Sequence, residues 1–364
     1  MIKREVFYDA NFAIGKYRGM GKYINDLIYV ISEKGINCTG LLSGKADDIS
    51  KNKIAFGYSN YILWEQFSLA KYINTLNNAL LFLPYNTGSI FFRNYNSKVL
   101  IIHDLIFFES YSSLSLKQVI GKYYRRLVLP RIVKKVENII TVSHFTKNEI
   151  IKKFNIDPAR ITVIPNSIDL GAANHIVDIN KKANFFFNIG GELGHKNIKN
   201  LLKAFALFTK TYSEEYRLKI IGIRDSTTLR SYKKLALNLK IYPLVDFLGY
   251  QTDDQIAELY RNAKAFIFPS KIEGFGIPLI EAMKYGCPIV CSNTSCFPEI
   301  AKDAAAYFDP WDITNMSEVM FSVVNDINKS KHLVSNGLKV VKDYSFENFN
   351  KIVLNWYYVN YGHE

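Results

Sequence analysis

Short apolar runs alternate with amphipathic stretches along most of the chain. Val6-Phe-Tyr reads as a strand, and Gly21 to Glu33 as a helix with Tyr23, Leu27, Val30 and Ile31 at helical spacing. Leu80-Leu-Phe-Leu and Lys98-Val-Leu-Ile-Ile are continuous apolar runs, the signature of strands buried on both faces. Asn138-Ile-Ile-Thr-Val follows a long helical stretch, Ser143 to Phe154 predicts another helix, and Ile161-Thr-Val-Ile-Pro closes the series. A polar stretch, Gly171 to Lys182, is the linker candidate.

A second series follows. Strands are predicted at Asn184-Phe-Phe-Phe-Asn-Ile, Arg217-Leu-Lys-Ile-Ile, Val245-Asp-Phe-Leu, Ala265-Phe-Ile-Phe and Pro288-Ile-Val-Cys. Helices are predicted at Asn197 to Thr211, Ser226 to Leu239, Asp253 to Ala263 and Pro278 to Tyr285. Strands that alternate with helices predict a parallel sheet covered on both faces. Two such series predict an α/β chain with two doubly wound, Rossmann-like domains, residues 1–170 and 171–345, with ligands at the carboxyl ends of the strands where the sheets face a central cleft. Residues 346–364 end in the aromatic run Trp356-Tyr-Tyr-Val-Asn-Tyr and predict a final helix that packs back on the first domain.

Length agrees with two domains, since 364 residues exceed the ordinary domain of about 150. Charge adds an asymmetry. Of the net +13, residues 1–170 carry 23 Lys/Arg against 13 Asp/Glu, and residues 171–364 carry 23 against 20. A basic first half suits an anionic partner, or a Lys-rich surface of no specific use. Cys38, Cys287, Cys291 and Cys296 have no metal-ligand spacing and read as free buried thiols. No secretory leader is visible at Met1-Ile-Lys-Arg-Glu and no apolar run is long enough to span a bilayer, so the expected location is cytoplasmic.

The candidate chemistry concentrates in Phe266-Ile-Phe-Pro-Ser-Lys-Ile-Glu-Gly-Phe-Gly-Ile-Pro-Leu-Ile-Glu281. A buried strand ends at Pro269, a loop with Gly274 and Gly276 follows, and a helix starts near Pro278. Glycine allows close backbone approach, and N–H groups at a helix start attract anions. Glu273 precedes the turn and Glu281 lies one helical turn inside; a carboxylate accepts two hydrogen bonds from adjacent sugar hydroxyls. The segment resembles the E-x7-E signature of glycosyltransferase family 4, the large retaining GT-B family. Asn188-Ile-Gly-Gly-Glu-Leu-Gly-His-Lys-Asn, Pro165-Asn-Ser-Ile-Asp, Leu100-Ile-Ile-His-Asp and Tyr17-Arg-Gly-Met-Gly-Lys also resemble that family, in its order. The likeness is strong over residues 185–300 and looser before, and it leans toward bacterial polysaccharide mannosyltransferases.

That resemblance implies roles. Glu281 binds the ribose of a GDP- or UDP-sugar donor, and Glu273 contacts the transferred sugar beside the backbone of Gly274, Phe275 and Gly276. Lys196 neutralises the diphosphate; Asn166 and Gly191 line the donor site. His103 contacts the donor sugar, and Arg18, Gly19 and Gly21 form an acceptor or diphosphate loop. The family often has an Arg five residues before Lys196, where this chain has Gly191; Arg18, His195 and Arg224 are the candidate substitutes. Without an Asp-x-Asp motif, metal-independent transfer with no cofactor is expected. The acceptor is expected to be a lipid-linked saccharide. The basic segment Lys117–Lys135 offers a face for an anionic membrane or simply a solvated helix side. Alternative readings are a noncatalytic glycosyltransferase-like subunit and a nucleotide-sugar epimerase or hydrolase on the same scaffold. No nucleic-acid reading motif is present.

Overall fold

The computed structural model describes residues 5–14, 19–44, 52–93, 96–109, 116–171, 178–212 and 215–362. The chain forms two units. The first takes residues up to Glu109, the stretch ending at Ser167 and the final helix Phe346–Tyr361; the second takes Ile168–Ser345. Half of the linker candidate, residues 172–177, lies outside the described residues.

The first unit holds seven parallel strands: β1 (Glu5–Asp9), β2 (Cys38–Ser43), β3 (Lys53–Phe56), β4 (Ala79–Leu83), β5 (Ser97–Ile102), β6 (Asn138–Thr141) and β7 (Ile161–Val163). Their order is β3-β2-β1-β4-β5-β6-β7. The sheet is wound outward in both directions from the β1/β4 junction. Leu80, Leu81, Leu100, Ile101, Ile139 and Ile140 are completely buried, which is why these strands read as unbroken apolar runs. On one face the strands pack against helices Tyr61–Ile73 and Leu116–Ile132 through Trp64, Leu69, Leu129 and Ile132. The first of these helices contains a π-helical stretch, Trp64–Leu69. The final helix packs on the helix Met20–Ser32, with Phe349 edge-on to Tyr23 at 5.7 Å.

The second unit holds six parallel strands: β8 (Ala183–Ile189), β9 (Arg217–Ile221), β10 (Val245–Phe247), β11 (Ala263–Phe268), β12 (Ile289–Ser292) and β13 (Ala305–Phe308). Their order is β10-β9-β8-β11-β12-β13, so the winding reverses between β8 and β11. Phe186, Leu218, Ile220, Ala265 and Ile267 meet Leu201, Phe205 and Phe208 of the helix Ile198–Thr211 in one core. The architecture is therefore two doubly wound parallel α/β units. At a winding reversal the loops leaving neighbouring strands diverge to opposite faces, and the gap between them is where such sheets bind ligands.

Candidate functional site

The second unit builds its site at that reversal. β8 and β11 are hydrogen-bonded neighbours, so the loops that leave their carboxyl ends emerge side by side. Gly190–Lys196 leaves β8 and Pro269–Gly276 leaves β11. The backbone joins them first: Lys271 N donates to the His195 carbonyl at 2.8 Å. The side chains join them next: Lys196 Nζ donates to Glu273 Oε1 at 2.7 Å. Both side chains are largely shielded, with 25% and 15% exposure left. Burial alone raises the Glu273 pKa, but Lys196 and then His195 oppose it, and the net result lies below the ordinary carboxylate value. Glu273 is an ionised carboxylate at neutral pH.

Glu273 owes its position to a clamp from the loop after β12. Ser295 Oγ accepts from Glu273 N at 3.0 Å and donates to Glu273 O at 2.6 Å. Thr294 Oγ1 donates to Lys271 O, and Cys296 Sγ to Phe275 O. Gly276 then turns the chain into the helix Ile277–Lys284 at φ 92°, a left-handed conformation that suits glycine. Phe275 is buried with its ring edge-on to Tyr344 at 5.5 Å, which fixes the backbone of the turn. Glu281 follows on that helix and accepts from the Tyr260 hydroxyl at 3.1 Å. Lys196, Glu273 and the Gly274–Gly276 turn are thus brought together, with Glu281 further along the same helix. Tyr260, Thr294 and Ser295 belong to this arrangement and were not singled out by sequence reasoning. They sit 21 to 23 residues from the residues they hydrogen-bond, and no periodicity marks such contacts.

Gly191 has a reason to be glycine. A Cβ there would stand 3.2 Å from Lys196 Cγ, so its absence leaves room for the lysine stem. His195 is corrected as a substitute cation: burial pushes its pKa down to about 4, against the pull of Glu273, so it is neutral at neutral pH. Arg224 is exposed, and its backbone N donates to Glu192 Oε1. Arg18 lies outside the described residues.

In the first unit, His103 follows β5 and is buried. Its Nε2 lies 3.0 Å from the Pro84 carbonyl, which can only accept, so Nε2 carries the proton. Burial pushes its pKa down to about 4. The ring is held edge-on to Tyr23 at 5.1 Å, and Tyr23 donates to the Ile164 carbonyl. His103 is therefore a neutral imidazole with Nδ1 left as an acceptor. Asn166 is buried, and the neighbouring Ser167 donates to Asp26 on the helix Met20–Ser32. Gly19 caps that helix at φ 59°, and Gly21 is buried in its first turn.

The same unit holds an acid pair that the sequence did not reveal. Asp9 ends β1 and Glu65 lies in the π-helical stretch; both are 1% exposed. The Tyr61 hydroxyl stands 2.9 Å from Asp9 Oδ2 and 2.9 Å from Glu65 Oε1. One hydroxyl hydrogen serves only one of them, so a carboxyl must supply the other. Burial favours such a proton on either acid, and the charge of Asp9 favours it further on Glu65: Asp9 is raised to about 6 and Glu65 to about 7. Glu65 Oε2 also accepts from Thr87 and Tyr124.

The four cysteines are free and buried; Cys38 is pushed up to about 12 by burial. In the basic segment, Arg126 donates to the carbonyls of Phe107, Phe108 and Glu109, and Lys122 to Glu109. Part of that charge therefore ties the helix Leu116–Ile132 to its own unit. The side chain of Lys117 lies outside the described residues. Among the described residues no helix is long and apolar enough to cross a membrane.

Two families of known proteins match this chain. The family described as glycosyl transferases group 1 matches residues 173–340, and glycosyltransferase family 4 matches residues 18–172. An O-antigen chain mannosyltransferase, RfbU of Salmonella typhimurium, is 31% identical over 237 residues, covering 65% of this chain and 64% of its own. O-antigen chain mannosyltransferase B of Escherichia coli is 30% identical over 228 residues, covering 60% of each chain. The matched region thus spans under two thirds of these relatives. Among solved structures, sucrose-phosphate synthase from Thermosynechococcus elongatus superposes with a TM-score of 0.77 at 15% identity, over 99% of this chain and all of that one. WaaG, a glycosyltransferase involved in lipopolysaccharide biosynthesis, gives 0.70 at 15% identity over 96% and 99%. At such identities the likeness shows the fold, which is GT-B.

Proposed function

We propose that this chain, which belongs to glycosyltransferase family 4, transfers a hexose from a nucleotide diphosphate sugar to a saccharide acceptor with retention of anomeric configuration. Mannose is the favoured sugar, because relatives at 31% and 30% identity are named as O-antigen mannosyltransferases. The acceptor is a lipid-linked saccharide of bacterial surface polysaccharide, and no metal or cofactor takes part.

The shielded Lys196–Glu273 pair carries this reading. The bond from the sugar's anomeric carbon to the diphosphate breaks, and negative charge collects on the leaving group. Lys196 meets that charge in a shielded site, where a fixed cation is worth far more than in water. Glu273, once released from Lys196, accepts from hydroxyls of the sugar, and Glu281 accepts from the ribose. The acceptor oxygen bonds to the anomeric carbon on the face the diphosphate leaves, and its proton passes to a phosphate oxygen. The products are a nucleoside diphosphate and a saccharide one residue longer.

A thermal-shift panel of GDP, UDP and their sugars tests the donor, because binding to the native state raises its apparent stability. GDP-mannose should give the largest shift, and Lys196→Ala should abolish most of it. The reading fails if no nucleotide sugar shifts the transition and none is consumed. Inversion at the anomeric carbon, seen by NMR of the product, would overturn retention. Loss of turnover in EDTA, restored by a divalent ion, would overturn metal independence.

The helix Leu116–Ile132 supports docking on an anionic membrane, where a lipid-linked acceptor resides. Leu116, Ile120, Tyr123 and Leu127 form one exposed stripe at helical spacing, flanked by Lys122, Arg125 and Arg126. Salt-insensitive failure to float with anionic liposomes would refute it.

A further inference from the structure

A second apolar feature of the first unit lies outside that helix and has no use in the transfer step. Phe67 stands in the π-helical stretch and Phe91 in the segment between β4 and β5. Their rings stack at 5.4 Å and 21°, yet they remain 50% and 52% exposed. A cavity of about 380 Å³ opens beside them, with Lys71, Asn74, Thr75 and Arg93 among its walls.

The feature is firmly built. The Asn74 side chain donates to Phe91 O at 3.2 Å and accepts from Arg93 N at 2.8 Å. Gln66 Oε1 accepts from Ile90 N at 3.1 Å, and Lys135 donates to Ile90 O. Residues 90–93 are thus pinned at both ends, and the two rings are held in solvent by anchored backbone. Folding gains nothing from leaving them there, since burial of a phenylalanine is worth about 1.5–3 kcal/mol. Lys71 and Arg93 are both exposed, and neither has an ion-pair partner among the described residues. Gln66 also donates to the hydroxyl of Tyr124, which makes the aromatic pair adjacent to the helix Leu116–Ile132.

Stacked exposed rings beside a cavity, rimmed by two uncompensated cations, match one ligand chemistry: an anionic amphiphile. The rings take hydrocarbon and the cations take phosphate. A folded acidic protein would leave the cavity unfilled, whereas an acyl chain can enter it. We propose that this pocket binds an anionic phospholipid of a bilayer, with the phosphate between Lys71 and Arg93 and the upper acyl chain against Phe67 and Phe91. This site is additional to the amphipathic helix and rests on neither the donor nor the transfer step.

Flotation of the full chain with phosphatidylcholine vesicles, with and without phosphatidylglycerol, tests it. Binding should require phosphatidylglycerol. Lys71→Gln and Arg93→Gln should each weaken it about fivefold, and Phe67→Ser with Phe91→Ser at least about tenfold. The two single variants and the Phe double variant should keep the wild-type circular dichroism and Tm, because the changed side chains are exposed. Wild-type binding by the Phe double variant overturns the proposal, even if Tyr123→Ser with Leu127→Ser abolishes flotation, since the helix then acts alone. Displacement by millimolar inorganic phosphate as effective as added lipid overturns it in favour of a plain phosphate site. Self-association without vesicles, lost in the Phe double variant, overturns it in favour of a second copy of the chain. The donor thermal shift is independent of all these arms, so either idea can fail alone.

Discussion

Lys196 and Glu273 neutralise each other across 2.7 Å, and a bound diphosphate would compete for the same lysine. The pair therefore acts as one unit. Lys196→Ala should lower kcat about 100-fold, the usual cost of losing one fixed group that meets developing charge. Adding Glu273→Gln should cost much less than the product of the two single losses, because the residues share a task. Steady-state rates for the two singles and the double decide it; multiplicative losses would mean independent roles. His103 makes a different statement. Its pKa is pushed down to about 4 by burial, so donor affinity should show no histidine step between pH 5 and 8. Gly276 is a conformational requirement at φ 92°. Gly276→Ala should destabilise by about 1–2 kcal/mol, measured by urea unfolding, because left-handed backbone penalises a Cβ.

At the scale of elements, the β11 loop is only as well placed as the β12 loop that clamps it. Ser295 Oγ bonds both the N–H and the carbonyl of Glu273, so Ser295→Ala should cost about 1–2 kcal/mol of stability. It should also raise the donor KM while leaving affinity for the free nucleoside intact, because Glu281 is held separately by Tyr260. Equal weakening of both would place the clamp's effect elsewhere. The strands that carry this site were legible in the sequence for a simple reason. Phe266, Ile267 and Phe268 are buried on both faces, so they form an unbroken apolar run ending at the functional loop. Two of the four edge strands were not legible: β3 has four residues, Lys53-Ile-Ala-Phe, none of them buried. β13, Ala305-Ala-Tyr-Phe, is as short, and its alanines carry little periodic signal. Glu65 was missed because a carboxylate between Trp64 and Gln66 reads as the solvent side of a helix, whereas the π-helical stretch turns it inward. The Ser295 contact was missed because pairing across 22 residues is set by strand order, and the order β8-β11-β12 is decided only when the sheet assembles.

For the whole molecule, the two units respond to pH with opposite sign. In the first, Asp9 and Glu65 hold a proton in the native state that the unfolded chain releases, their pKa values being raised to about 6 and 7. That stabilisation is complete below about pH 4 and is lost as pH rises to about 7, a change of order 1–3 kcal/mol. Tyr61, Tyr85 and Tyr124 face the pair and stay protonated throughout. In the second unit, Glu273 has a lowered pKa, so its contribution is present above the ordinary glutamate value and is lost in acid. Urea midpoints at pH 5 and 8 should show the wild type weaker at pH 8. Asp9→Asn should flatten that decline, since an amide can donate to Tyr61 at every pH; an unchanged slope would show that the acid pair carries no proton. Chain order adds a consequence of the final helix. Phe349, Val353 and Trp356 are buried in the first unit although about 180 residues of the second unit separate them from its last strand. On the ribosome, the second unit has all of its strands before the first has its last helix. Domains made early usually fold early, but here the earlier-made unit must wait, half-finished, for the helix that follows the whole of the second unit. The Tyr23 and Phe82 surfaces that this helix covers stay uncovered until then.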